Sequence, residues 1–242
     1  MQRPFVFINM AVTADGKTDT VEHRGATISS RRDKQRVDKL RAGADAVMVG
    51  GRTLLEEDPA LTVKSEALRA ERAARGLPPN PAKVGIVTRA ALDPEGDFLS
   101  AGPARVVIFT TSRTSRDQVE ILKVRGAEVF LLGDSQVDLI QALETLYHLG
   151  IRRLMVEGGG TLNFELLRLG LVDELSLFIA PVIFGGASAP TPAAGEGFAR
   201  DRALPLELVD FDHWEDGGVL LRYRPKTQTQ SPDKEENPDS RG

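Results

Sequence analysis

The stretch Glu157-Gly158-Gly159-Gly160-Thr161 concentrates residue types that do chemistry on anionic ligands. Three successive glycines carry no Cβ, so backbone N–H groups can approach a phosphate closely, and the unpaired N–H groups of a helix beginning there point at the same place. Glu157 would repel that phosphate. It therefore faces a neutral or cationic polar group of a second ligand beside a nucleotide. Taken alone, the triplet reads equally well as a tight strand-to-helix turn that needs glycine for positive φ. It does not stand alone, because Gly50-Gly51-Arg52-Thr53 makes a second glycine turn and Asp15-Gly16 marks a third turn, setting Asp15 and Lys17 at a strand end.

The elements that must position these residues follow from the apolar pattern. Residues 5–10 read as a central strand buried on both faces, 45–49 as the second strand, 83–88 and 105–110 as the third and fourth, and 124–132 as the fifth. Leu154, Met155 and Val156 form the strand that ends on the glycine triplet, and Leu162, Leu166 and Leu169 recur at helical spacing just after it. Ser29 or Ser30 caps a helix with a thin apolar face, Val37 and Leu40. Its Arg31, Arg32, Asp33, Lys34, Arg36, Asp38 and Lys39 read as a solvated face, and Arg41, near its end, can turn toward a cleft. Residues 65–81 read as an exposed helical excursion with solvent-facing arginines, 89–104 as a loop, and 137–149 as an amphipathic helix. Residues 175–183 form another strand, and 206–214 with 218–223 a closing hairpin. The expectation is an α/β domain over residues 1–225, mostly parallel with an antiparallel C-terminal edge, and a disordered tail over 226–242. In such a sheet the loops at strand C-termini share one edge, so the glycine turns face a common cleft.

Composition narrows the chemistry. The chain has 242 residues, 41% of them hydrophobic, which suits one large core. The absence of cysteine excludes thiolate metal sites and disulfides, and three scattered histidines, His23, His148 and His213, argue against a metal centre. A net charge of −4 argues against a nucleic-acid surface. No apolar run suits a secretion signal or a membrane span, so the expected setting is the cytoplasm.

Several separated motifs agree with one family. Thr13-Ala14-Asp15-Gly16-Lys17, Leu40-Arg41-Ala42-Gly43-Ala44-Asp45-Ala46, Gly51-Arg52-Thr53 with Asp58-Pro59-Ala60-Leu61-Thr62-Val63, and Val156 through Leu162 with Leu171-Val172-Asp173-Glu174 together resemble the pyrimidine reductases of riboflavin biosynthesis. The likeness spans residues 4–225 and implies a dihydrofolate-reductase-like fold. No zinc-deaminase signature accompanies it, which suits a stand-alone reductase.

The resemblance implies that NADPH, with NADH as the alternative, reduces the ribosylamino side chain of a pyrimidine 5′-phosphate to ribitylamino, by hydride transfer to C1′ of the ring-opened imine. It places Ala11, Thr27, Thr53, Glu57, Thr88 and the turn Gly158, Gly159, Gly160, Thr161, Leu162 and Asn163 against the cofactor. Arg41, Leu61, Lys64 and Glu157 fall on substrate positions. Glu57 stands where the family often has Asp, Lys64 where it often has Arg, and Gly25 where a serine can lie near the substrate. Lys17 and Asp15, with Glu157, are the implied catalytic groups, and no metal is implied. A homodimer is implied as well, with residues 175–183 as a possible interface strand. Two other readings stay open: a paralogue reducing another substrate such as a dihydropterin, and a nucleotide-binding module without turnover. Whether the substrate is the diamino or the deaminated pyrimidine also stays open, the diamino form being favoured.

Overall fold

The computed structural model describes residues 1–226, and the expected tail over 226–242 lies outside them except for Lys226. One nine-stranded sheet runs through the chain in the order β5-β4-β3-β2-β6-β1-β7-β9-β8. Its strands are β1 (Phe5–Thr13), β2 (Ala46–Gly50), β3 (Ala82–Ile86), β4 (Val106–Thr110), β5 (Ala127–Leu131), β6 (Arg153–Val156), β7 (Glu174–Ala180), β8 (Leu206–His213) and β9 (Val219–Pro225). The first seven pair in parallel, whereas β9 runs antiparallel to β7 and β8 antiparallel to β9. This is the expected fold class, and β2, β3 and β4 are buried at every position, as strands covered on both faces must be.

Among the described residues there are six α-helices, α1 (Arg31–Ala42), α2 (Glu66–Ala74), α3 (Asp97–Ser100), α4 (Arg116–Val124), α5 (Leu139–His148) and α6 (Gly160–Arg168), with a π-helical turn at Thr53–Glu57 and a 3-10 turn at Arg200–Arg202. On one face Ile8, Met48 and Val156 pack with Leu143, Leu146, Leu162 and Leu166 of α5 and α6. On the other, Phe7, Val47, Val49 and Met155 pack with Leu54, Phe98 and Leu122 and with Val37 and Leu40 of α1. A third small core under the hairpin stacks Phe178 on Trp214, ring centroids 4.9 Å apart.

Four expectations need correction. The fifth strand begins at Ala127, because residues 116–124 form α4, capped by Ser115 and burying Val119 and Leu122 three residues apart. The loop over 89–104 holds the one-turn helix α3. Asp58 accepts from its Asp97 and Phe98 N–H groups at 2.6 and 2.9 Å, and buried Lys83 donates to the carbonyls of Asp97, Phe98 and Ala101 at 3.1, 2.9 and 2.6 Å. The charged face of α1 is not all solvated: Asp33 and Asp38 are buried, Asp33 accepting from Arg36 at Oδ1 and Asp38 from the N–H groups of Lys64 and Ser65, bonds that replace water. In the excursion Arg72 is buried as well, donating at 2.8 Å to the carbonyls of Ala42, Ala44 and Pro78, so it ties α2 to the end of α1.

Candidate active site

The C-terminal ends of β1, β2, β3 and β6 open into one cleft of about 1390 Å³. Gly50 and Gly51 end β2 on its floor, and Gly159, Gly160, Thr161 and Leu162 form the wall where β6 passes into α6. The Gly158–Gly159 peptide is cis, and Gly158 has φ 109°, a conformation that favours glycine. Helices α1, α2, α4 and α5 are each capped by a side chain, Ser30, Ser65, Ser115 and Asp138, but α6 has none. Its first-turn N–H groups are thus left to a ligand at the glycine turn, the arrangement that suits an anion. A side chain on Gly160 would lie 2.5 Å from the Thr191 carbonyl oxygen, so only glycine lets the segment carrying Ala187 to Thr191 close over this turn.

The second feature of the cleft is an ion pair. Arg41 donates from Nε and Nη2 to the two carboxylate oxygens of Glu157 at 2.6 and 2.7 Å, and from Nη1 to the Thr62 carbonyl at 3.1 Å. Both side chains are largely buried, at 17% and 15% exposure. Burial works to lower the Arg41 guanidinium, but the Glu157 carboxylate outweighs it and holds the group above its ordinary value. Arg41 of the same chain thus faces Glu157, and a bidentate fork fixes the carboxylate in place.

A second groove of about 740 Å³ adjoins the cleft along Ala26, Ser29, Val37 and Arg41. Arg31, Lys34 and Lys64 also line it. Its one carboxylate, Asp38, is occupied by the N–H groups of Lys64 and Ser65 at 2.6 and 2.8 Å, so the groove presents positive charge.

The expected residues divide by place. Ala11, Thr53, Glu57, Thr88, Gly159, Gly160, Thr161, Leu162, Arg41 and Glu157 line the cleft, while Thr27 and Lys64 line the groove. Partial burial pushes the Glu57 carboxyl up, the Thr53 hydroxyl draws it back, and the charges of Asp19 and Glu56 push it up again. Asn163 is buried beneath the wall, donating to the Pro192 carbonyl at 2.8 Å. Leu61 is also buried, at 2% exposure with φ 48°, and its side chain belongs to the core below α1. Asp15 and Lys17 are not on the cleft wall. Asp15 accepts from the Thr13 hydroxyl at 2.5 Å and from the N–H groups of Phe184 and Gly185 at 3.2 and 2.7 Å. The Thr13 hydroxyl, with those N–H groups, holds its carboxyl below the usual range, and its task is to tie the loop after β7 to the end of β1. Residues that sequence reasoning passed over also reach the cleft: Asn9, Asp19, His23, and Ser135 to Ile140 before and within α5. Nothing in their local patterns distinguishes them, since their arrival depends on strand order and loop path.

A mostly parallel sheet with an antiparallel terminal hairpin and a glycine-turn cleft at the strand C-termini defines an α/β protein of dihydrofolate-reductase-like fold. Among solved structures, a pyrimidine reductase-like protein from Corynebacterium diphtheriae shares this fold, with TM-score 0.78 and 22% identity over 93% of this chain and 92% of that one. Residues 4–220 match the RibD C-terminal domain model, and the chain belongs to that family. Curated relatives include the 2,5-diamino-6-ribosylamino-4(3H)-pyrimidinone 5′-phosphate reductase of Archaeoglobus fulgidus, 41% identical over 82% of this chain and 90% of that protein. The reductase of the same name from Aquifex aeolicus is 37% identical over 91% of this chain and 96% of its own length.

Proposed function

We propose that this protein uses NADPH to reduce the ribosylamino side chain of 2,5-diamino-6-ribosylamino-4(3H)-pyrimidinone 5′-phosphate to ribitylamino. The observation that carries this reading is an adjacency. An uncapped helix N-terminus on a glycine turn meets, across the Arg41–Glu157 pair, a groove lined by Arg31, Lys34 and Lys64. One side suits the pyrophosphate of a dinucleotide and the other a phosphorylated substrate. The names of the relatives at 37% and 41% identity support the same substrate.

The nicotinamide, when bound, supplies the hydride, and the chain positions the reactants. Gly159, Gly160 and the first turn of α6 hold the pyrophosphate, while Thr53, Glu57 and Thr88 on the opposite wall orient the rest of the cofactor. Glu157, immobilised by Arg41, accepts from N–H groups of the pyrimidine, and Lys64 with Lys34 neutralises the 5′-phosphate. Asp15 serves the shape of the site from outside it, through Thr13, Phe184 and Gly185. This reading carries a cytoplasmic setting and a homodimer. Among the described residues no helix is long and apolar enough to cross a membrane, and no cluster of His, Cys, Asp or Glu is placed to hold a metal.

The test is NADPH oxidation by the purified protein, offered the diamino pyrimidine, its deaminated counterpart and dihydrofolate in parallel, with NADH as a second cofactor. Oxidation with the diamino pyrimidine and NADPH is expected. Oxidation only with dihydrofolate would reassign the substrate, and NADPH binding without oxidation in any tube would leave a binding module. Cations in the groove argue against a substrate lacking phosphate.

A further inference from the structure

Between α1 and the sheet lies a buried polar network with no task in the reaction above. Arg36 of α1 donates from Nη2 to Asn9 Oδ1 at 2.6 Å, from Nη1 to Ser176 Oγ at 3.1 Å and from Nε to Asp33 Oδ1 at 2.9 Å. Asn9 and Ser176 are an in-register pair on β1 and β7, and Asn9, Ser176 and Asp33 are 6%, 3% and 0% exposed. A guanidinium has five donors and no acceptor, so it can meet the Asn9 amide only through the amide oxygen. The NH2 group is thereby turned away from Arg36. Asn9 lines the cleft, and its Nδ2 makes no hydrogen bond among the described residues, so both N–H donors are available to a ligand.

The sheet decides which ligand. Alternation along β1 and β6 puts Asn9 on the same face as Phe7 and Met155, which pack with Val37 and Leu40 of α1. Glu157 lies on that face too, gripped by Arg41 of the same helix. Met10 points to the opposite face, where its sulfur lies 3.4 Å from the position of a Cβ on Gly158, beside the glycine turn. Asn9 thus belongs to the wall shared with Glu157, the substrate wall of the reading above.

We infer that Arg36 is a positioning residue that locks the Asn9 amide as a two-donor reader of the substrate ring. The lock selects a ligand carrying an acceptor at that point, a carbonyl oxygen or an unprotonated ring nitrogen, against one carrying an amino group. An amide without the lock would offer either of its ends. The identity of the ligand rests on the proposed function; the lock itself does not.

Two measurements test it. Arg36→Lys keeps a positive charge beside Asp33, but one nitrogen replaces the three that Arg36 spreads over Asp33, Ser176 and Asn9, so it cannot reach all three acceptors. In steady-state assays with the diamino pyrimidine it should raise KM about tenfold while NADPH affinity stays within about twofold. In an Asn9→Ala background the same change should leave KM within about twofold, since the residue it acts through is gone. An equal rise in both backgrounds would make Arg36 merely structural and overturn the proposal. The second measurement needs no turnover: 15N relaxation of the Asn9 side-chain amide in the ligand-free protein. A rigid amide in the wild type that loosens in Arg36→Lys supports the lock, and equal mobility in the two overturns it even if the pyrimidine is never reduced. Failure of the wild type to oxidise NADPH would instead count against the proposed function.

Discussion

At the residue scale the site depends on a charge held still. Glu157 keeps its orientation because Arg41 engages both of its oxygens, so Glu157→Gln loses the charge and half of the fork with little change of volume. Turnover should fall about 10- to 100-fold with NADPH affinity nearly unchanged. Single-turnover kinetics alongside a cofactor titration would separate the two, and unchanged turnover would remove Glu157 from the site. Lys17→Ala, which alters a side chain outside the cleft wall, should cost less than Glu157→Gln. Thr53 stands opposite the glycine turn, with its hydroxyl 3.5 Å from the position of a Cβ on Gly159. Thr53→Ala should therefore weaken NADPH binding about fivefold, read by the fluorescence of the bound cofactor. These roles were partly legible from residue types and spacing, because Glu157 and the glycines are contiguous. The partner of Glu157 was not legible, since Arg41 lies 116 positions away.

Two elements are held by single residues. The glycine turn tolerates the covering segment only because position 160 lacks a Cβ. Gly160→Ala would drive a methyl to within 2.5 Å of the Thr191 carbonyl oxygen and 3.1 Å of Ala194, displacing that segment and lowering NADPH affinity about tenfold with the sheet intact. Helix α3 hangs on Lys83, whose ammonium closes its last carbonyls at the end of a buried stem. Burial pushes Lys83 down to about 8, against the pull of Asp97 and Asp58. The unfolded lysine, at its ordinary 10.5, holds a proton that the folded one has released, so this group's contribution to stability rises between about pH 8 and 10.5 and its burial cost is complete below that window. Lys83→Met removes the ammonium from three carbonyls, of which that of Asp97 keeps the Ala101 N–H, and should lower stability at neutral pH by about 1–3 kcal/mol. Denaturant titrations at neutral and alkaline pH should show the gap between wild type and variant widening with pH; a constant gap would contradict the titration. Neither device is visible in the local pattern, where Lys83 merely opens a short apolar run.

For the whole molecule the open question is self-association. The strand expected to mediate it, β7, lies between β1 and β9 and buries Leu175 and Phe178, so it is a core strand. A row of exposed apolar side chains lies on the edge strand β8, where Leu206, Leu208, Val209 and Phe211 are 38%, 50%, 41% and 67% exposed. An edge strand with such side chains invites pairing with a second copy. The proposed homodimer should form through it. Light scattering behind size exclusion should give twice 26.3 kDa for the wild type and 26.3 kDa for Phe211→Glu with unchanged far-UV circular dichroism. A monomeric wild type would end the dimer proposal, and a dimeric variant would move the interface elsewhere.

The amino-acid sequence by itself determined the fold class, the order of the strands along the chain and the glycine turns at their ends. Apolar periodicity and glycine's missing Cβ act over a few residues, and those few residues are contiguous. Only the tertiary structure decided that β7 is internal and β8 exposed, that Asp15 clamps a loop, that Leu61 is core, and that Arg36 and Arg41 leave the surface of α1 for Asn9 and Glu157. A charged side chain on a helix reads as solvated until the spatial order of strands brings a buried acceptor within reach, and that order is set by pairings between segments more than a hundred residues apart.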